Sequence, residues 1–376
     1  MIFQEPEPTE QELEVVQGIQ GLRNKLRLQL HQPRRWVGNL RRLSLARAIQ
    51  GSNSIEGFIA SLDDVAAVGA GEEPLDADTE TKLALRGYRE AMTYVLQLAG
   101  EERFEYSEQL LKSLHFMMSS YDLALRPVLW RAGSIYVRNE ATDEIVYEGP
   151  EVDEVAGLMG ELVGGLNTPE ATPGIVGAAM AHLNLVTVHP FRDGNGRMGR
   201  CLQTLVLARE GVLEPQFCSI EEYLGRNTSD YYAVLGQVGR GGWHPENDAR
   251  PWVRFSLTAH YRQALTLLHR VRESEQLWIA LERLAGKEGL QERTMDALFD
   301  AALGLRVRRA TYKAMVAEPI SEQAAGRDLR RLAERELLVP HGEKRGRYYT
   351  GSEELLDTWK AIRSKRSSRE ADPFAA

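Results

Sequence analysis

The sequence predicts a mainly α protein: a helical body with one β-hairpin, followed by a separate C-terminal domain. Apolar residues recur at alternating spacings of four and three over residues 84–98 and 257–268, which is typical of helices that bury one face. Residues 134–149 differ, because β-prone residues flank the turn-forming stretch 139–143. We therefore expect two short strands there and helices through most of the remaining body.

Stretches rich in glycine, proline and polar residues divide the chain of 376 residues, which is long enough for two or three domains. We expect an N-terminal helical region over residues 1–105, a helical core with the hairpin over 106–270, a connecting helix over 271–289, a C-terminal domain over 290–352, and a final helix and tail over 353–376.

Composition narrows the class of protein without naming a function. A net charge of -8 and a pI near 5.7 argue against a chain-wide grip on nucleic acid, although one basic domain can exist within an acidic whole. The first residues lack the pattern of a signal peptide, and no stretch approaches the ~20 apolar residues of a membrane helix. We expect a cytoplasmic protein that does not contact membranes, with Cys201 and Cys218 as plain thiols.

Residues 189–200 carry the clearest chemical signal and read His-Pro-Phe-Arg-Asp-Gly-Asn-Gly-Arg-Met-Gly-Arg. Apolar spacing on both sides predicts a helix that ends near His189, before a proline, and a second helix that begins near Asn195. A turn from Gly194 to Gly196 would then present free backbone N–H groups at a helix N-terminus. Such a turn favours binding of a phosphate.

The side chains of this stretch suit phosphate chemistry as well. Arg197 and Arg200 lie three residues apart, so both can reach phosphate oxygens from one helix face. Asp193 offers a hard oxygen ligand for Mg²⁺, and His189 has the ordinary pKa, about 6.5, best suited to accept a proton at neutral pH. Each residue alone also has a structural explanation, such as a turn or a solvated helix face, but together they favour a nucleotide site.

A second interpretation of this stretch is a dinucleotide-binding turn, because Gly194, Gly196 and Gly199 match the spacing of that fingerprint. A Rossmann turn follows its strand directly, however, whereas His-Pro-Phe-Arg-Asp intervenes here. The flanking sequence also lacks a series of alternating strands and helices. A loop between two helices is therefore the favoured structure.

Residues 189–200 resemble the signature of the Fic family, His-Pro-Phe-x-[Asp/Glu]-Gly-Asn-Gly-Arg-x-x-Arg, at every fixed position. The resemblance implies a helical Fic core whose flap is the hairpin, with His189 as the base and Mg²⁺ bound by Asp193. It implies transfer of AMP from ATP to a Ser, Thr or Tyr hydroxyl of a protein, self-modification included. The residues implied to bind nucleotide are Glu56, Gly194, Asn195, Gly196, Arg197, Met198, Gly199, Arg200 and Tyr231.

Two further features enter through the same resemblance. Ser52-Asn-Ser-Ile-Glu56-Gly resembles the family's inhibitory motif, [Ser/Thr]-x-x-x-Glu-[Gly/Asn]. It implies that Glu56 pairs with Arg200 and occupies the place of the γ-phosphate; an exposed helical glutamate is the alternative. Tyr231 and Tyr232 resemble the family's nucleotide-pocket tyrosines, with Tyr231 preferred and ordinary core aromatics as the alternative.

The C-terminal domain resembles a winged helix-turn-helix. Residues 320–338 predict a turn and a helix with Arg327, Arg330, Arg331 and Arg335, and the basic stretch 341–349 predicts the wing. A protein-interaction or homodimerisation module stays open as the alternative. The functions that remain are a nucleotidyltransferase inhibited by Glu56, a DNA-binding regulator with a Fic-type sensor core, and Fic-type removal of AMP.

Overall fold

A computed structural model describes residues 1–32, 34–138, 143–168, 174–343, 346–366 and 372–375. The protein is mainly helical with two small antiparallel sheets, which confirms the predicted fold class. The helices are α1 (Glu10–Leu30), α2 (Val37–Ile55), α3 (Leu62–Gly69), α4 (Thr79–Leu98), α5 (Glu108–Ser119), α6 (Val155–Leu166), α7 (Gly174–Val188), α8 (Asn195–Arg209), α9 (Pro215–Cys218), α10 (Glu221–Arg226), α11 (Thr228–Gly239), α12 (Arg250–Glu288), α13 (Met295–Ala302), α14 (Arg309–Met315), α15 (Glu322–Glu334) and α16 (Glu353–Arg363). The strands are β1 (Tyr136–Arg138), β2 (Ile145–Glu148), β3 (Leu338–His341) and β4 (Tyr348–Gly351), and short 3₁₀ turns occur at Leu123–Leu125 and Glu292–Thr294.

Side-chain oxygens cap the start of several helices and explain where they begin. Thr9 caps α1 in a capping box, since its hydroxyl accepts from Glu12 N–H while the Glu12 carboxylate accepts from Thr9 N–H. Asp78 and Ser107 cap α4 and α5 by accepting from the backbone N–H three residues ahead. These caps fix helix starts that apolar spacing alone leaves open by several residues.

Helix α7 lies at the centre of the body, and its side chains from Ile175 to Val188 are buried. Helix α8 packs along it at close range, because a Cβ added to Gly199 would lie 2.6 Å from a methyl carbon of Val186. The indole N–H of Trp252, on α12, donates to the carbonyl oxygen of Ala179 at 2.7 Å and ties the longest helix to this centre. Both cysteines are buried and unpaired, as expected for plain thiols.

The predicted hairpin is formed by β1 and β2, with Tyr136 opposite Glu148. Four of the predicted turn residues, 139–142, lie outside the described part of the chain. On its other side β2 meets the segment after α11, where the N–H of Glu148 donates to the carbonyl oxygen of Gly241 at 3.1 Å. One edge of β1 is thus left without a partner strand among the described residues.

The C-terminal elements follow the order helix, single bridge, helix, helix and hairpin. The bridge joins Val307 to Tyr349 of β4, beside the antiparallel pair of β3 and β4. This order is the one expected for a winged helix, which stays a prediction, and wing residues 344–345 lie outside the described chain. Helix α12 runs unbroken from Arg250 to Glu288, so the predicted core and connecting helix share one element.

The N-terminal helices pack directly against this C-terminal unit. Asn39 of α2 donates to the carboxylate of Asp296 on α13 at 2.8 Å. Further along the chain, Arg306 binds Asp63 and Asp64 at the start of α3. None of the described helices combines the length and hydropathy required to cross a membrane.

The crossing of α2 and α10 depends on Gly51 and gives the first testable prediction. A Cβ added to Gly51 would lie 2.4 Å from the carbonyl oxygen of Glu221, and one added to Gly225 would lie 2.6 Å from the Gly51 Cα. We expect Gly51→Ala to lower the free energy of unfolding by about 1–3 kcal/mol, as overpacking usually does. Denaturant titration followed by circular dichroism measures the loss.

Gly38→Ala is the matched control, because Gly38 lies on the same helix and a Cβ there meets nothing within 4 Å. It should leave the unfolding free energy unchanged or raise it by up to ~1 kcal/mol, the helix preference of alanine over glycine. Equal stabilities for the two variants would mean that the α2–α10 crossing tolerates a methyl group.

Candidate active site

The loop of residues 189–194 joins α7 to α8 and is closed by the side chain of Asn195. Its Oδ1 accepts from the N–H of Phe191, and its Nδ2 donates to the carbonyl oxygen of the same residue, both at 2.9 Å. Gly194 has a φ of 78°, the left-handed conformation that glycine adopts at little cost. The Asn195 amide therefore holds the loop in shape, and only its backbone N–H is left for the predicted nucleotide contact.

His189 lies where α7 ends, with a φ of 51°. Its Nδ1 is 3.1 Å from the carbonyl oxygen of Val186, a distance at which Nδ1 must carry the proton and donate it. The lone pair is then on Nε2. Burial lowers the pKa of His189 below its ordinary value, against the opposing effect of Glu56. The structure thus holds a neutral imidazole in the tautomer that can accept a proton through Nε2.

Arg131, which the sequence analysis missed, fastens the catalytic loop to the hairpin. Its Nε donates to the carbonyl oxygen of His189 at 3.0 Å, and its Nη2 donates to that of Pro150 at 2.5 Å. Its own N–H donates to the carbonyl oxygen of Pro190 at 2.8 Å. This buried arginine lies far from the signature in sequence, so no local pattern indicates its role.

His115 supports the opposite side of the loop and was also missed. Its ring stacks on Phe191 at a centroid separation of 3.7 Å, and its Nε2 donates to the carbonyl oxygen of Asp193 at 3.0 Å. Burial lowers its pKa to about 4, so the ring is neutral near pH 7. His115 thus supports the loop through the Asp193 carbonyl oxygen and the Phe191 ring.

Arg200 is 1% exposed and is held by the end of helix α2. Its Nε donates to the hydroxyl of Ser52 at 2.8 Å, and its Nη2 donates to the Ser52 carbonyl oxygen at 2.9 Å. The same Nη2 lies 2.6 Å from Oε1 of Glu56. Ser52, Glu56 and Arg200 therefore meet as the resemblance implies.

The carboxylate of Glu56 sits at the N-terminus of α8, the position predicted to bind phosphate. A Cβ added to Gly196 would lie 2.2 Å from Oε1 of Glu56, which measures how closely the carboxylate approaches that backbone. Burial opposes its ionisation, but Arg200 and Arg197 outweigh burial and lower the pKa of Glu56. An ionised carboxylate thus occupies the helix terminus.

Arg197 is also 1% exposed, yet its guanidinium is only partly satisfied. Its Nη2 lies 3.5 Å from the carboxylate of Asp193, and its guanidinium carbon is 5.1 Å from the ring centroid of Phe58. Its Nε and Nη1, like Nη1 of Arg200, have no hydrogen-bond partner within the described chain. Buried donors without acceptors are expected where an anionic ligand completes the site.

Asp193 is the predicted Mg²⁺ ligand, and its side chain is 48% exposed beside the anion-binding turn. The described residues contain no group of three or more His, Cys, Asp or Glu side chains placed to hold a metal. Magnesium commonly binds through one or two carboxylates together with substrate phosphates and waters. A single accessible carboxylate therefore fits a magnesium ion that arrives with a nucleotide.

Met198 and Gly199, which were assigned to nucleotide binding, face the interior. Met198 belongs to the hydrophobic core with no exposed surface, and Gly199 permits the close approach of α8 to α7. The Met198 side chain is closed to a ligand in this structure, and Gly199 has no side chain to offer one. Their assignment stays a prediction that only backbone contacts could satisfy.

The adjacent residues Tyr231 and Tyr232 on α11 differ in how far their side chains are exposed. Tyr231 is 1% exposed, and its hydroxyl lies 2.9 Å from Nε2 of His182. Tyr232 is 48% exposed, and its hydroxyl donates to the carbonyl oxygen of Ile55 at 3.3 Å, next to Glu56. Because a stacking contact needs an accessible ring, the geometry favours Tyr232 for the role that the sequence analysis gave to Tyr231.

The central part of the chain matches a known family. Residues 105–207 match the profile of the Fic/DOC family. The "Protein adenylyltransferase Fic" of Nematostella vectensis is 38% identical over 87 residues, which are 23% of this chain and 18% of that protein. The "Protein adenylyltransferase fic-1" of Caenorhabditis elegans is 41% identical over 78 residues, 21% of this chain and 13% of that protein. The chain thus matches under a fifth of the length of these relatives.

Solved structures share the fold over a longer range. A Fic family protein from Desulfovibrio desulfuricans superposes with a TM-score of 0.59 and 23% identity, covering 93% of this chain and 98% of that one. A Fic domain-containing signaling protein from Bacteroides thetaiotaomicron gives a TM-score of 0.54 and 19% identity, covering 70% of this chain and 97% of the other. Residues 105–207 therefore resemble the Fic/DOC family in sequence, and the chain shares its fold with these two solved structures.

Proposed function

We propose that the protein is an adenylyltransferase that moves AMP from ATP to a Ser, Thr or Tyr hydroxyl of a protein and is held inactive by Glu56. The observation that carries the proposal is the pairing of a neutral His189 with an anion-binding turn occupied by a carboxylate. The relatives from Nematostella vectensis and Caenorhabditis elegans are both named protein adenylyltransferases, which supports the same chemistry.

In the proposed reaction the acceptor hydroxyl gives its proton to Nε2 of His189, while its oxygen attacks the α-phosphorus of ATP. A new bond forms between this oxygen and the α-phosphorus. The bond between the α-phosphorus and the oxygen that bridges to the β-phosphate breaks, and pyrophosphate leaves. Arg197 and Arg200 hold phosphate oxygens through their guanidinium groups, and the backbone N–H groups from Gly194 to Gly196 hold others. Magnesium bound to Asp193 would offset phosphate charge.

The proposed inhibition is a competition for the same donors. Glu56 holds Nη2 of Arg200 and lies against the backbone of Gly196, so a terminal phosphate cannot use either group while the carboxylate is in place. Arg200 is buried and the Glu56 side chain is only 21% exposed, so solvent and salt screen this pair much less than a surface pair. A nucleotide can therefore bind productively only when the Glu56 carboxylate leaves this position.

Replacing Glu56 tests the inhibition. We expect Glu56→Gly to raise self-modification with labelled ATP by about 5- to 150-fold, the range that a coupling of one to three kcal/mol produces. Gel autoradiography of the purified full chain measures the label. Glu90→Gly, at an exposed site on α4, serves as the control and should leave the rate unchanged.

An unchanged rate in Glu56→Gly would contradict the inhibition by Glu56. Release of AMP from a previously labelled chain, without any gain of label, would instead favour removal of AMP, the alternative that uses the same residues.

Replacing His189 tests the base. In a Glu56→Gly background, we expect His189→Ala to slow transfer by about 10²- to 10⁴-fold, the usual contribution of a general base. Binding of a fluorescent ATP analogue should persist, because the phosphate-binding groups remain. His31→Ala, at an exposed site, is the control.

The pH dependence follows from the lowered pKa of His189. The imidazole is neutral above that pKa, so the transfer rate should be constant from about pH 6.5 upward and fall only when the pH drops through the lowered pKa. In kcat/KM, which reports the free enzyme, loss of the Glu56 carboxylate removes an effect that raises this pKa and should move the fall to still lower pH. A rate that declines already at pH 7 would exclude His189 as the base.

A second candidate function, DNA binding, is favoured by one observation in the C-terminal unit. A cleft of about 830 Å³ there is lined by Arg308, Arg309, Arg327, Arg330 and Arg347. Arg327 and Arg330 are exposed on α15. Arg331 and Arg335 instead bind the end of α12 through Gly289 and Glu288. Half of the predicted arginine set thus lines an open cleft in which Arg308 and Arg309 already pair with Glu72 and Glu322, so Arg327 and Arg330 are the candidates for phosphate contacts.

Gel shift with duplex DNA tests this candidate in the full chain. Arg330→Ala should weaken the shift and reduce its dependence on salt concentration, because one phosphate contact is lost. Arg335→Ala should not, since that side chain is turned toward α12. Absence of any shift at low salt would remove DNA binding from consideration.

A further inference from the structure

A cavity of about 280 Å³ lies between α2, α12, α13 and α16, and it shares no lining residue with the site around His189. Its apolar wall comes from Leu40, Leu43, Phe299 and Trp359. Its volume is near the lower end of the range for small-molecule sites, about 300–1,000 Å³. The cavity therefore has about the volume that a very small ligand would fill.

The cavity is strongly basic. Five arginines line it: Arg47, Arg226, Arg270, Arg363 and Arg366. One carboxylate, Glu222, lies behind the wall and serves two of them: both terminal nitrogens of Arg270 donate to it at 2.5 Å, and Arg226 pairs with it at 2.5 Å. With the carboxylate of Glu273 on the cavity wall, two negative charges face five arginines, which leaves three positive charges uncompensated.

Arg47 is the centre of this imbalance. Within the described residues no carboxylate lies within ion-pair distance of the guanidinium of Arg47 or Arg363. Burial and the neighbouring Arg270 lower the pKa of Arg47 to about 9. A half-buried cation among like charges is costly unless an anion joins it. The missing partner is therefore an anion that reaches between α2 and α16.

Glu273 adds a second requirement for the ligand. Its side chain lines the same cavity, and its Oε1 is buried without a hydrogen-bond partner among the described residues. A carboxylate oxygen accepts hydrogen bonds, so a ligand hydroxyl group could donate to Oε1 of Glu273. The cavity thus combines guanidinium donors, which match phosphate oxygens, with one acceptor and an apolar wall.

We propose that this cavity, the α2–α16 cavity, binds a small phosphorylated molecule whose phosphate oxygens lie between Arg47 and Arg363 and whose hydroxyl groups face Glu273. The ligand joins α2 to α12 and α16, where the arginines now repel one another. Arg47 and Ser52 lie on the same helix, and Ser52 accepts a hydrogen bond from Arg200. A ligand in the cavity would therefore stabilise the position of the helix that binds Arg200.

Calorimetric titration of the full chain with sodium pyrophosphate and with ribose 5-phosphate, at constant ionic strength, tests the proposal. We expect saturable binding of at least one probe, a raised unfolding temperature, and a loss of affinity of about tenfold or more in Arg47→Met, as for a lost charge-assisted hydrogen bond. Arg363→Met should show a similar loss. It also keeps the test valid if Arg47→Met fails to fold, since Arg363 is exposed on α16.

Two controls separate the cavity from other anion sites. Arg41 lies on the same helix but pairs with Glu214 away from the cavity. The Arg41→Met variant should therefore bind the probes as the unaltered chain does. Arg197→Met removes a guanidinium from the turn beside His189, where pyrophosphate would also bind as the product, and it should leave the Arg47-dependent binding of ribose 5-phosphate intact. The proposal is overturned if neither probe saturates at millimolar concentration, if both cavity variants keep full affinity, or if only Arg197→Met loses it.

Discussion

The buried guanidinium of Arg200 is the constraint on which the rest of the structure depends. A cation that is 1% exposed must find acceptors inside the protein, and three of them come from the last turn of α2: the hydroxyl and carbonyl oxygens of Ser52 and the carboxylate of Glu56. The contacts of Ser52 and Glu56 with Arg200 therefore do two things: they join α2 to α8, and they fill the turn at the start of α8 with a carboxylate. Any ligand that supplies oxygens to Arg200 competes with the fold of the N-terminal region.

Helix α2 is held along its whole length, so its release is not a local event. Its first turns are tied to α13 through Asn39, its middle crosses α10 at Gly51, and the segment after Glu56 is anchored when Arg306 binds α3. These contacts place Glu56 between the region that matches the Fic/DOC profile and the C-terminal unit. A partner that moves the C-terminal unit would thus act on the helix that carries Ser52 and leads to Glu56, without contacting residues 189–200.

The sequence predicted the placement of residues that are close along the chain or belong to a strict signature. It did not predict placements that depend on how a helix is rotated or on contacts between distant residues. Apolar spacing predicted the helices on both sides of residues 189–200, and the resemblance predicted the meeting of Glu56 with Arg200. Spacing could not decide between Tyr231 and Tyr232, because neighbours on a helix differ by a rotation of about 100° that only packing fixes. Arg131 was missed because its partners are backbone carbonyl oxygens, which leave no pattern in side-chain identity.

The electrostatics of His189 connect the base to whatever anion fills the turn. Burial favours the neutral imidazole, whereas the Glu56 carboxylate favours the protonated form. In the proposed reaction the carboxylate leaves and phosphate groups take its place, so the negative charge near the imidazole is restored by the substrate. A proton taken from the acceptor hydroxyl is then stabilised on Nε2 only while nucleotide is bound. In the proposed reaction, replacement of the Glu56 carboxylate by nucleotide phosphates therefore both ends the inhibition and keeps the imidazole basic. Proton transfer to His189 is thus coupled to the binding of ATP.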